Sequence, residues 1–155
     1  MPPTGLPVLD AVTERKLAAG LYNEVWRLME IESRTAEQTD AMVHAAHASR
    51  YHWGRVGTPV NAARGEWLCA RVYAVVGRAE PALWHARRCL ALLEGAEGAE
   101  DWDVAAAYEA VARASALAGD EAGSREWLAR GPEAAAAIAD PEDRKPIESN
   151  LASLG

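Results

Sequence analysis

Apolar residues recur at three- and four-residue intervals along most of this chain, and no segment shows the two-residue alternation of a strand. That pattern predicts an all-α fold of about seven helices. Asp10 is placed to cap a first helix from Ala11 to about Ile31, with Leu17, Leu21, Trp26, Leu28 and Met29 at helical spacing. Gly20 interrupts it at a cost of about 1 kcal/mol relative to alanine. Ser33 or Thr35 caps a second helix over 36–56, and Gly57 stops it. Thr58-Pro59 is a cap and first-position pair that opens a third helix running to Val76, with Gly77 after it. A fourth helix follows over 79–94. After the polar loop Gly95 to Glu100, Asp101 is expected to cap a fifth helix to Ala118. Gly119-Asp120 is a turn, and the sixth helix runs from it to about Ala129. Gly131-Pro132 is expected to break or kink the chain, with 134–139 continuing helical. Asp140-Pro141 then starts a last helix ending near Leu154. Short connections force neighbouring helices to pack antiparallel. Residues 1–9, with Pro2, Pro3, Gly5 and Pro7, read as an extended arm, and 10–155 as a single helical domain.

Within Trp67 to Leu92, the residues Ala70, Tyr73, Gly77, Ala82, Cys89 and Leu90 are separated by three, four, five, seven and one positions. This resembles the tetratricopeptide repeat, in which small residues allow close helix crossing and a glycine turns the corner. A weaker copy lies 42 residues later, where Tyr108, Ala112, Gly119 and Asp120 fit, but Ser115, Ser124 and Gly131 replace the tyrosine and two small positions. The offset exceeds the usual period and makes Gly95 to Glu100 an insertion. The run Ala46 to Trp53 (Ala-His-Ala-Ser-Arg-Tyr-His-Trp) is similar to that of a bacterial group of tetratricopeptide-like proteins. The resemblance implies helix pairs wound as a superhelix. The first helix of each pair would line a concave surface that holds a peptide or partner protein. Arg64, Trp67 and Arg71 would then face that surface from the third helix, and Glu109 and Arg113 from the fifth. Arginines beside a tryptophan suit an acidic peptide or a carboxylate. The alternative is that these arginines pair with Glu66, Glu109 and their neighbours.

The second helix carries three of the four histidines. At about 100° per residue, Asp40, His44, His47 and Tyr51 fall within roughly 60° of one another, and Met42, Ala46, Ser49 and Trp53 lie opposite. The stripe of carboxylate, imidazoles and phenol supports several readings: hydrogen bonding to a neighbouring helix or a face toward water, ligand binding, an acid–base pair, or a transition-metal site on Asp40, His44 and His47. A metal site would need help from His52 or His85, or from Glu66. No cofactor is otherwise predicted.

The remaining features narrow the function. A formal net charge of −7 disfavours a nucleic-acid partner. Phosphate-loop, nucleophile-elbow and HExxH patterns are missing. Cys69 and Cys89 form no CxxC pair and read as buried thiols in a reducing compartment. Neither a signal peptide nor a membrane span is visible, so a cytoplasmic location is expected. Six tryptophans place one in or beside each of the first six helices, where they are expected to fill inter-helix gaps. The sequence therefore points first to a binding module, with homodimer formation as a way for a short array to cover its end, and as the alternative to a small-molecule or metal-binding protein, an enzyme included, that uses the histidine-rich second helix.

Overall fold

The capping chemistry sets the frame. Asp10 accepts from Thr13 N at 2.9 Å and opens α1, Ala11–Met29. Thr35 and Gln38 form a reciprocal capping box for α2, Ala36–Val56. Thr58 and Asn61 do the same ahead of Pro59 for α3, Pro59–Val75. The chain continues as α4 (Ala79–Leu93), α5 (Asp101–Leu117), α6 (Glu121–Ala136) and α7 (Pro141–Ala152). The computed structural model describes residues 5–154, and all regular structure in that range is helical. Of the expected N-terminal arm, residues 1–4 lie outside the described range, and 5–10 precede α1 without helical structure.

Helices pack as consecutive hairpins, α1 with α2, α3 with α4 and α5 with α6. The pairs are joined through α2–α3 and α4–α5, while α3 also touches α5, and α7 closes on α5 and α6. The two corners that carry the repeat pattern are built alike. At the end of α3, Arg78 N donates to Tyr73 O at 2.8 Å and Gly77 N to Ala74 O at 3.2 Å. At the end of α5, Asp120 N donates to Ser115 O at 2.9 Å and Gly119 N to Ala116 O at 3.0 Å. Both are Schellman closures, and both need a left-handed residue, supplied by Gly77 (φ 78°) and Gly119 (φ 79°). Tyr73 and Ser115 therefore hold equivalent positions in two copies of one turn. Ala70 and Ala82, which flank the first corner, are fully or almost fully buried, as close crossing of α3 and α4 requires.

Two expectations are corrected. Helix α6 does not break at Gly131-Pro132 but runs through to Ala136. Proline there removes one donor to the Leu128 carbonyl without ending the helix. Gly131 serves packing instead: a Cβ on it would stand 2.5 Å from Leu151 Cδ2, so its hydrogen lets α7 close on α6. Trp84 does not fill a gap between helices, because 65% of it is exposed on the outer side of α4. Trp67 does the reverse and packs against all four apolar clusters of the core.

Candidate functional site

Residues of α1, α3, α4, α5 and α7 line a cavity of about 240 Å³. Its walls include Tyr22 and Trp26 from α1, Trp67 from α3, Trp102 from α5 and Ile147 from α7. Trp26 and Trp67 stack with ring centroids 6.0 Å apart. Arg64 lies 4.4 Å above the Trp102 ring and grips Asp103 through two bonds of 2.9 Å. Tyr22, Arg64 and Trp102 also border an adjoining hollow that opens toward Trp53 and Asn61. Beyond Trp67, a narrow slot between α3 and α5 is lined by Arg71, Glu109 and Arg113, and it runs into a hollow of about 290 Å³ that shares both arginines. Shared walls thus link these hollows into one row. A larger hollow of about 430 Å³ surrounds Trp84 on α4. A single helix supplies its walls, so it cannot enclose a ligand as five helices can.

The structure brings Arg64, Trp67, Arg71, Glu109 and Arg113 to this row, but the arginines differ in state. Among the described residues four carboxylates are buried, Glu14, Glu66, Asp103 and Glu109, and each has an arginine partner. Arg64 is committed to Asp103. Arg113 Nε donates to Glu109 at 2.5 Å, and its Nη2 bonds Asn150 O at 3.1 Å and Ser153 Oγ at 2.8 Å, which ties α5 to α7. Arg71 makes no ion pair with the described residues, and its buried Nε has no hydrogen-bond partner. Burial and the neighbouring Arg113 charge pull Arg71 below the ordinary arginine value, against the opposing influence of Glu109.

On α2 the expected stripe is divided between neighbours. Met42, Ala46 and Ser49 are buried, as the helical wheel requires, while Asp40, His44 and Tyr51 are exposed. His47 alone of the stripe turns inward. Its Nε2 lies 2.8 Å from Tyr73 Oη, and its ring meets that of His85 edge-on at 5.2 Å. His85 Nδ1 sits 2.5 Å from Glu66 Oε2, and Arg50 Nε donates to the other Glu66 oxygen at 2.9 Å. His52 points the other way and meets Glu14 on α1 at 3.0 Å. Ser49 Oγ also bonds α1, at Ala18 O, 2.8 Å away. The run Ala46 to Trp53 is therefore a two-sided fastening in which Ser49 and His52 hold α1 while His47 and Arg50 hold α3. Asp40, His44 and His47 are not gathered, and no group of three or more His, Cys, Asp or Glu side chains among the described residues is arranged to hold a metal ion. Burial, with the His85 and His44 charges, lowers the His47 pKa against the pull of Glu66. Burial pushes the Cys69 and Cys89 thiols up to about 12.

Sequence reasoning missed Tyr22, Trp26 and Trp102 as partners of Trp67. The available signal was a tryptophan in each of the first, third and fifth helices, the helices that share this face. No helix among the described residues is long and apolar enough to cross a membrane. Comparisons with protein-family models, with curated proteins and with solved structures find no match to this chain.

Proposed function

We propose that this protein is a tetratricopeptide-like binding module that holds a segment of a partner protein along the row of hollows between α1, α3, α5 and α7. The observation that supports this most is the tryptophan-walled cavity at the centre of the row. At about 240 Å³ it is large enough to receive one bulky apolar side chain, and rigid aromatic walls lose little freedom on binding. The flanking hollows extend the contact to either side, as an extended peptide would need. In the histidine cluster every inward-facing member is held by a protein partner: His47 by Tyr73, His52 by Glu14 and His85 by Glu66.

Selection of displayed random peptides tests the proposal. Peptides recovered on the wild-type protein should share a large apolar residue and should lose binding to Asn150→Trp, which fills the cavity from α7. Recovery of the same peptides on both proteins, or no enrichment on either, would refute the assignment.

A further inference from the structure

The buried carboxylates of this chain show the rule by which it handles charge, and Arg71 is the exception to that rule. Glu14, Glu66, Asp103 and Glu109 each have an arginine within 2.9 Å. The slot between α3 and α5 holds two guanidinium groups, Arg71 and Arg113, against the single carboxylate of Glu109. Arg113 takes Glu109 and is further fixed by one bond to Asn150 of α7 and one to Ser153, the residue that caps that helix. Among the described residues one positive charge is left over, on a side chain whose Nε is sealed from water and has no hydrogen-bond partner there. A buried donor without an acceptor is costly, and a charged one more so. The slot also opens into a hollow bounded by Arg71, Val75 and Leu117, so an incoming group can reach it.

We infer that Arg71 is the anchor for a carboxylate on the bound peptide, so that the groove selects an acidic residue beside its apolar one. This deepens the reading of the groove as a peptide site and rests on it. Three features fix the class of ligand. The charge left over is a single one, which a carboxylate balances and a phosphate dianion would exceed. The planar fork of a guanidinium matches the two oxygens of a carboxylate. Trp67, which walls the aromatic cavity, and Arg71 stand one turn apart on α3, about 6 Å along its axis. In an extended peptide, residues two apart share a face and are separated by about 6.6 Å. A ligand reading both features therefore carries its acidic residue two positions from its apolar one.

The probes are acetyl-Leu-Ala-Glu-amide and acetyl-Leu-Ala-Gln-amide, which differ only in the charge at the third residue. Binding is followed by nuclear magnetic resonance, through the Arg71 Nε–H signal and the tryptophan indole signals. The Glu peptide should bind at least about tenfold more tightly than the Gln peptide. It should move the Arg71 signal, and Arg71→Met should abolish the preference while still taking up the Gln peptide. A circular dichroism melt of the variant checks that it is folded. Equal binding of the two peptides would overturn the inference and leave the groove standing. An Arg71 signal that no Glu peptide moves would also overturn it, as would happen if the chain's own terminal carboxylate already held the guanidinium. Binding of neither peptide at millimolar concentration would count against the groove itself.

Discussion

Replacing Gly65 by alanine tests the closeness of the α2–α3 crossing, which places the fastening of α2 and the tryptophan wall of α3 side by side. Gly65 is buried within α3, and a Cβ there would lie 2.7 Å from Arg50 Cδ and 3.3 Å from both Arg50 Cα and Arg50 Cβ. Comfortable carbon contacts are about 3.5–4.0 Å. Relief requires α2 to move away from α3 or Arg50 to swing off Glu66, which gives up a charge-assisted bond worth about 1.5–3 kcal/mol. Overpacking a tight site costs about 1–3 kcal/mol. Against this, alanine is favoured over glycine inside a helix by about 1 kcal/mol. The crowding wins, and the net loss should be about 1–2 kcal/mol. Gly20, exposed in α1 with nothing within 4 Å of its Cβ position, isolates the opposite effect. Gly20→Ala should gain about 1 kcal/mol. At about 2–4 °C per kcal/mol for a domain of this size, thermal melts followed by circular dichroism should move in opposite directions. A Gly65→Ala protein as stable as Gly20→Ala would refute the close crossing.

Further outcomes follow from the buried charges and thiols. His47 has a lowered pKa in the folded chain, where it faces His44 on its own helix, Glu66, Cys69 and Tyr73 on α3, and His85 on α4. Its neutral form is favoured by folding, so its contribution is complete above the unfolded value of 6.5 and shrinks as the pH falls from there towards the folded pKa. Urea midpoints at pH 7.5 and 5.5 should differ less in His47→Gln than in the parent; an unchanged difference would remove His47 as the source. Glu109→Ala leaves Arg113 without its carboxylate and puts a second unpaired guanidinium beside Arg71. It should cost about 3 kcal/mol, read as a melting point lower by about 6–12 °C. Cys69 and Cys89 should react with Ellman's reagent at pH 8 only as fast as the chain unfolds, since both are buried with pKa values near 12. Rapid labelling of the native protein would contradict their burial.

Much of the frame was legible because caps are local. Thr58-Pro59, Asp140-Pro141, Gly77 and Gly119 state their roles within four residues of sequence, and each stands where a helix starts or stops. Pro132 misled because its local preference is to end a helix, whereas the helix is held by contacts made elsewhere, among them Gly131 against Leu151. The helical wheel placed Met42, Ala46 and Ser49 inward on α2 but allowed that helix one buried face. Packed between α1 and α3 it has two, which is why His47 parts company with Asp40 and His44. His85 and Glu66 were recognisable as chemistry, yet only the folding of α3 and α4 against α2 brings them to His47. The aromatic cavity was hardest to foresee, since Trp26, Trp67 and Trp102 lie on helices that are not consecutive. Repeat spacing names such faces but does not say which side chains converge on them.

The most direct measurement is the indole region of a proton–nitrogen correlation spectrum while acetyl-Leu-Ala-Glu-amide is added. Six tryptophans give six separable reporters spread over the molecule. The signals of Trp26, Trp67 and Trp102 should move together and saturate together, with Trp84 and Trp127 unmoved. Movement of Trp84 alone would shift the binding surface to the outer face of α4, and six stationary signals would contradict the groove altogether.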